Sequence, residues 1–131
     1  SCTNHFIQHA LAQTLNEGSD GSEKILIELK MRRDLLFKCL SSIKGIEIAL
    51  PESTFYLFPN VTEVMSNKNY SDLDKFRLDV LKATGVSFCT RDHFGTSSIK
   101  EDNKYIRFAY SGISKNQIEK GMEIFKIWIE N

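Results

Sequence analysis

One six-residue stretch, Tyr105–Tyr110, constrains the fold of this chain more than any other. It is rich in aromatic residues, and a polar segment and a glycine bound it on its two sides, which is typical of a β-strand. Successive side chains of a strand point to opposite faces of its sheet. The pattern therefore places Ile106 and Phe108 on one face and Arg107 on the other.

The position of Arg107 in the middle of this strand raises a question of charge. A buried cation costs free energy unless an anion pairs with it, and the planar guanidinium group suits a carboxylate or a phosphate. Taken alone, the stretch favours a structural Arg107, either exposed on an edge strand or paired with an internal Asp or Glu. A binding role for Arg107 is the second interpretation.

Composition and charge exclude several classes of protein. The chain has 131 residues, with 17 Lys or Arg and 17 Asp or Glu, so its formal net charge is zero. This balance predicts no nucleic-acid partner and no basic membrane surface, and no apolar run approaches the ~20 residues that span a bilayer. Three well-separated cysteines favour a reducing, cytoplasmic compartment over a disulfide framework. The length predicts a single domain over 1–131.

The order of helical and strand-like segments predicts the fold class. Helical spacing of apolar residues predicts helices at 4–17, 23–44, 71–84 and 114–129. Alternating or aromatic-rich segments predict strands at 46–48, 54–58, 86–89 and 105–110. Polar connections are expected at 60–70 and 90–104. This mixture is typical of an α+β two-layer sandwich, with a small mixed or antiparallel sheet and helices on one face. Candidates for the less covered face are Phe55, Leu57, Tyr105, Arg107 and Ala109.

Two groups of residues have spacings that suggest a chemical site. His5 and His9 would share a helix face near Cys2, but a metal site would need a fourth ligand, so we expect a solvated helix and no metal. Cys89 and His93 suggest a nucleophilic pair, but a separation of four residues across a strand end is not the usual geometry. We therefore expect Cys89 to fill core space. Neither a phosphate-binding glycine loop nor a lysine in a buried setting is recognisable.

Two segments of the chain resemble class I/II aminotransferases. Residues 51–60, PESTFYLFPN, resemble the family's P-x-G-A-F-Y-x-F segment. Residues 85–95 resemble the family's G-V-x-V-x-P-G-x-x-F-G loop, and the strand YIRFAY that follows them resembles y-[IL]-R-[LIF]-[SA]-[YF]. The start of the chain, with Gln8 and Ala10, is similar to the helix that follows the cofactor lysine in the family. The resemblance covers nearly the whole chain.

This resemblance implies the C-terminal small domain of a fold-type I aminotransferase that depends on pyridoxal 5'-phosphate (PLP). By the family pattern, Arg107 binds the α-carboxylate of an amino-acid or 2-oxo-acid substrate, and Phe55 lies beside the substrate. Closure of the small domain would shield the substrate from water. The cofactor, its lysine and the large domain that holds them are expected outside these residues, and the parent enzyme is expected to be a homodimer. The isolated chain is therefore expected to be inactive.

The chain departs from the family pattern in two places. Ser53 and Thr54 stand where the family has Gly-Ala, and Arg91-Asp92 stands where many members have Pro-Gly. We therefore expect the turn before the second predicted strand, and the loop before the arginine strand, to differ in geometry from those of the family.

Two other functions stay open from the sequence. A stand-alone or regulatory α+β module would bind a small carboxylate at Arg107 in a closed pocket. A structural domain would instead pair Arg107 internally with an Asp or Glu. The aminotransferase interpretation predicts an accessible Arg107 and an exposed apolar patch around Phe55, where the large domain would dock.

Overall fold

The computed structural model describes residues 3–18, 22–95 and 102–131. Within them, five α-helices are present: α1 (His5–Asn16), α2 (Glu23–Ser41), α3 (Thr62–Asn67), α4 (Leu73–Thr84) and α5 (Lys115–Glu130). The strands are β1 (Tyr56–Leu57), β2 (Cys89–Thr90) and β3 (Ile106–Ala109). A 3₁₀ turn, Arg91–Phe94, follows β2. No helix among the described residues combines the length and the apolar character that crossing a membrane requires.

The three strands form an antiparallel sheet in the order β1–β3–β2, so the arginine strand is the central one. Leu57 lies opposite Phe108, and Thr90 lies opposite Ile106. All four of these side chains are buried, and the core that they join is completed by residues of α2, α4 and α5. The predicted α+β two-layer arrangement, with helices on one face of a small sheet, is therefore confirmed.

Helix α5 shows how the sequence builds this core. Ser114 accepts a hydrogen bond from the backbone N–H of Gln117, and the Gln117 side chain accepts one from the backbone N–H of Ser114, which satisfies donors that a helix start leaves free. Its buried residues recur at three- and four-residue steps: Ile118, Met122, Phe125 and Ile129. The ring of Phe125 lies 5.9 Å from that of Phe108, so α5 packs directly on the arginine strand.

The boundaries of the other predicted helices are close to those observed. Asn4 caps α1 by accepting a hydrogen bond from the N–H of Phe6 at 3.2 Å. Helix α4 begins after Asp72, whose carboxylate accepts two backbone hydrogen bonds, and ends at Gly85 in the left-handed conformation. Helix α2 ends at Ser41, three residues before the predicted end, because the chain turns through Ile43 into the core.

Helix α3 occupies a segment that the sequence pattern assigned to a polar connection, and that prediction is wrong. Two of its six residues, Val64 and Met65, are buried. Asn69 adopts φ +59° after the helix end, and its N–H donates to the carbonyl of Ser66 while the next N–H donates to that of Met65. These are the two hydrogen bonds of a Schellman motif, so this short helix is fixed by its end as well as by its apolar face.

The predicted strands are shorter in the structure. Segment 46–48 contributes only an isolated bridge between Glu47 and Asn60. Segment 86–89 is replaced by β2, which begins at Cys89. Segment 54–58 is reduced to β1 because Thr54 has φ +71°, which is incompatible with an extended strand.

The prediction that Leu57 lies on the less covered face is also wrong. Leu57 is 1% exposed and lies opposite Phe108 on the core face. The turn at Thr54 sets the register of β1, and a shift of one residue moves every side chain of a strand to the other face.

Candidate functional site

Arg107 lies on the face of the sheet that points away from the helical core. We call this surface the open face and define it by the register of the strands, in which Tyr56 lies opposite Ala109 and Cys89 lies opposite Arg107. Its side chains are those of Tyr56, Phe58, Cys89, Tyr105, Arg107 and Ala109. The predicted separation of Arg107 from Ile106 and Phe108 is confirmed, since both neighbours are buried in the core.

Two aromatic rings flank the guanidinium group of Arg107. Its central carbon lies 4.0 Å from the ring centroid of Tyr56 and 4.0 Å from that of Phe94, well within the range of a cation–π interaction. Tyr56 belongs to β1 and Phe94 follows β2, and these strands lie on opposite sides of β3. The two rings thus come from chain segments on opposite sides of the arginine strand and contact the same guanidinium group.

No carboxylate among the described residues forms an ion pair with Arg107. Its one polar contact given by the structure is from Nη2 to Sγ of Cys89 at 4.0 Å, and a thiol sulfur is a weak acceptor. Within residues 3–18, 22–95 and 102–131, the internal Asp or Glu partner of the structural interpretation is therefore not found. The side chain is half-buried, so its charge is partly removed from water with no compensating anion in the part of the chain that the structure describes.

The turn that carries Phe94 is held by hydrogen bonds on both sides of it. The N–H of Thr90 donates to Nδ1 of His93 at 3.2 Å, and the Thr90 hydroxyl lies 2.8 Å from the same nitrogen. Thr90 is 1% exposed, so this bond ties the turn to the core. Nη1 of Arg91 donates to the carbonyl of Gly95 at 3.2 Å, which shows how the chain closes a loop where many family members have Pro-Gly.

The same contacts correct the expectation for Cys89 and His93. Nδ1 of His93 is engaged by Thr90 rather than by the thiol, so the structure does not bring the two residues together as a nucleophilic pair. Cys89 is half-buried on the open face beside Arg107. The expectation that it fills core space is therefore wrong, because Thr90 rather than Cys89 is the inward-pointing residue of β2.

Phe55 lies directly before β1. It is 40% exposed, and its ring centroid lies 4.5 Å from that of Tyr56. Phe94, on the other side of Arg107, is 45% exposed. Both rings are large and apolar, and their exposure agrees with the predicted apolar patch around Phe55.

Helix α1 offers a second exposed apolar surface. None of its residues is buried, and Phe6 and Leu15 are 72% and 71% exposed. Of the predicted metal-binding spacing, Cys2 lies outside the described residues. Within the described ranges, no group of three or more His, Cys, Asp or Glu side chains is placed to hold a metal ion.

The sequence pattern missed two residues of the site, Tyr56 and Phe94. Phe94 belongs to a segment that looked like a polar loop with an apolar island, and its approach to Arg107 depends on the 3₁₀ turn. Tyr56 was missed because the sequence does not show the register of β1, which places Tyr56 and not Leu57 on the open face. The one available signal was the aromatic content of residues 55–58.

The open face does not fit the binding of PLP by this chain. Its polar groups are one guanidinium, one thiol and two phenols, and it offers no lysine amine for covalent attachment of the cofactor. No glycine-rich loop at a helix N-terminus, of the kind that cradles a phosphate, adjoins it in the described residues.

Comparison with known proteins finds similarity to aminotransferases. No protein-family profile matches the chain. An asparagine–oxo-acid transaminase of Streptococcus mutans is 32% identical over 88 residues, covering 67% of this chain and 22% of that protein. An aspartate aminotransferase of Sulfolobus acidocaldarius is 27% identical over 123 residues, covering 94% of this chain and 29% of that protein.

A solved structure shows the same similarity in three dimensions. The aromatic aminotransferase of Pyrococcus horikoshii OT3 superposes with a TM-score of 0.77 at 25% identity, over 98% of this chain and 32% of that one. The chain thus spans about a third or less of the length of the proteins that it matches. It belongs to the aminotransferase family and has the fold of the small domain of those enzymes.

Proposed function

We propose that this chain is the C-terminal, substrate-closing small domain of a PLP-dependent amino-acid aminotransferase, and that Arg107 binds the α-carboxylate of the substrate. The observation that carries this proposal is the set of groups that surround the guanidinium of Arg107. Its half-buried guanidinium lies 4.0 Å from the centroids of two aromatic rings and has no carboxylate partner among the described residues. A cation held in this way gains most from an anion that arrives as a ligand.

The chemistry of the ligand follows from the shape of the site. Arginine presents parallel N–H donors that match the two oxygens of a carboxylate. The relatives are named for transfer to oxo acids or for aspartate and aromatic amino acids, and all of these compounds carry an α-carboxylate. Transfer of an amino group between an amino acid and a 2-oxo acid is therefore the reaction that we propose for the parent enzyme.

The position of Arg107 also argues against a self-contained binding module. Five clefts formed by the described residues lie elsewhere on the surface, and Arg107 lines none of these five. The guanidinium lies on the open face, in contact with the exposed ring of Phe94. Such a surface excludes water from a bound substrate only when another domain closes over it.

We assign the cofactor and the closing surface to parts of the enzyme outside this chain. PLP supplies the electron sink for such reactions when it is bound, and the open face does not fit its attachment. The exposed apolar residues of α1 and of the start of α2, such as Leu15 and Leu26, would pack against the large domain of the same polypeptide in a homodimeric enzyme. The chain alone would therefore be inactive.

The complete reading frame tests this proposal. The protein that it encodes should contain a lysine a few residues before the position of Ser1, should show the visible absorbance of bound PLP, and should transfer an amino group from L-aspartate, L-alanine or L-phenylalanine to 2-oxoglutarate. A reading frame without that lysine, or a purified protein with neither absorbance nor transfer, would remove the proposal.

A further inference from the structure

We propose that Tyr56 and Phe94 are positioning residues, which fix the plane of the Arg107 guanidinium so that its N–H edge is presented to the substrate carboxylate. This inference rests on the proposed function and adds to it the residues that determine the strength of carboxylate binding. Both ring centroids lie 4.0 Å from the same carbon of Arg107.

The two rings restrict the one motion that would weaken a two-point contact. A guanidinium group binds a carboxylate through two parallel N–H donors only when its plane is aligned with the carboxylate. An Arg side chain loses rotamer freedom when it binds, and that loss opposes binding. Two rings in contact with the guanidinium reduce this freedom before the ligand arrives, so part of the cost is met in the folded protein.

The rings are themselves attached to rigid parts of the fold. Tyr56 is paired in β1 with Ala109 of the central strand. Phe94 lies in the turn that follows β2. The backbone N–H of Thr90 donates to Nδ1 of His93 in this turn at 3.2 Å, and Thr90 is buried. The two rings thus reach Arg107 from both neighbouring strands of one sheet, which gives them the fixed geometry that a positioning role requires.

A neighbouring aromatic pair provides a matched control. Phe58 stacks on Tyr105 with centroids 5.3 Å apart and an interplanar angle of 4°. Phe58 is 42% exposed, close to the 45% of Phe94. Replacing either phenylalanine with leucine removes one exposed ring from the open face, but only the Phe94 variant removes a ring from Arg107.

The experiment uses the complete PLP-loaded enzyme and equilibrium binding of three acids and their matching amines. Propionate, succinate and 3-phenylpropionate are carboxylates without an amino group, and ethylamine, β-alanine and 2-phenylethylamine replace the α-carboxylate of the corresponding amino acids with hydrogen. Of these three acid–amine pairs, the measurement uses the pair that corresponds to the best amino-acid substrate of the enzyme. Calorimetry gives the Kd of the acid and of the amine for each variant, and their ratio isolates the contact with the α-carboxylate.

Phe94→Leu and Tyr56→Leu are each expected to raise the Kd of the acid about fivefold with little change for the amine, as loss of one cation–π contact implies. Phe94→Tyr and Phe58→Leu should retain the original ratio. A Phe94→Leu ratio equal to that of the original enzyme would overturn the inference, and so would an equal loss in Phe58→Leu. A parallel loss of acid and amine binding would also overturn it, because a merely structural role predicts that result.

Arg107→Ala distinguishes a failure of the positioning role from a failure of the proposed function of Arg107. If this variant loses the preference for the acid while Phe94→Leu keeps it, Arg107 binds the carboxylate and the positioning role fails. If Arg107→Ala keeps the preference for the acid, both the proposed function of Arg107 and the positioning role fail. A change in KM for the amino acid with an unchanged kcat would agree with a role in binding rather than in folding.

Discussion

The phenolic hydroxyl of Tyr110 donates a hydrogen bond of 2.7 Å to the main-chain carbonyl of Thr54. Tyr110 is 1% exposed, and its own N–H donates to the carbonyl of Phe55 at 3.1 Å. These two bonds fasten the end of the arginine strand to the turn before β1. The position of this turn determines where Phe55 and Tyr56 lie relative to Arg107. A buried tyrosine outside the candidate site therefore helps to hold the aromatic neighbours of Arg107 in place.

Thr54→Gly should stabilise the fold. Thr54 has φ +71°, and a β-branched residue in this left-handed region is strained. Glycine relieves that strain but loses more chain entropy on folding, so we expect a net gain of up to about 1 kcal/mol in the free energy of unfolding. Urea denaturation followed by the fluorescence of Trp128, the single tryptophan, measures it.

Ser53→Gly is the matched control for this substitution. Ser53 is not among the described residues with positive φ, although the family pattern has its glycine at that position. Glycine there should lower the free energy of unfolding by about 0.5–1 kcal/mol through chain entropy alone. Equal losses from both substitutions would contradict the strain that we assign to Thr54.

Tyr110→Phe should lower stability in a manner that depends on pH. Burial raises the pKa of the Tyr110 hydroxyl above its ordinary value of about 10. A group whose pKa is raised in the folded state contributes stability that is complete below its unfolded pKa and is lost as the pH rises through the folded pKa. The hydrogen bond to Thr54 should therefore be worth about 1 kcal/mol near neutral pH and less above about pH 10.

The difference in unfolding free energy between the original chain and Tyr110→Phe, measured from pH 7 to pH 11, tests this prediction. Ionisations elsewhere in the chain contribute equally to both proteins and cancel in the difference. A difference that stays constant up to pH 11 would show that Tyr110 is not the titrating group.

Asn69→Ala should destabilise the end of α3, whereas Asn69→Gly should not. Asn69 is exposed and has φ +59°, a conformation that asparagine and glycine adopt more readily than alanine. We expect a loss of about 1 kcal/mol for alanine and no loss for glycine. Urea denaturation of both variants measures the difference, and equal stabilities of the two would argue against the left-handed helix end.

Much of the fold could be predicted because several elements carry their own local signals. Helix α4 lies between Asp72 and Gly85, and α5 begins at the capping box of Ser114 and Gln117. The alternation around Arg107 correctly separated core residues from the open face. These features depend on residues close together in the chain, where local chemistry decides the structure.

The errors arose where structure depends on contacts across the chain. Helix α3 has only six residues and is too short to show a helical period, although Asn69 at its end was a usable signal. The register of β1 depends on the strained turn at Thr54, which a strand propensity cannot reveal. The contact of Phe94 with Arg107 joins two segments whose separation in the sequence conceals their proximity.

The position of Arg107 on the face away from the core could be predicted from the sequence, but its aromatic surroundings could not. Its mid-strand position showed that its charge needed a partner, and the resemblance to aminotransferases suggested a substrate carboxylate. The structure adds that two rings hold it at 4.0 Å and that no described acid pairs with it. These surroundings support the proposal that Arg107 binds the carboxylate of a substrate.

Arg107→Ala in the complete enzyme tests the central claim most directly. Arg107→Lys is the companion variant, since lysine retains the charge but lacks the two-point geometry. Loss of a two-point charged contact should lower kcat/KM for the amino acid about 100-fold in Arg107→Ala and by a smaller factor in Arg107→Lys. Bound-cofactor absorbance should stay unchanged in both. An unchanged kcat/KM in Arg107→Ala would contradict the assignment of Arg107 as the residue that binds the substrate carboxylate.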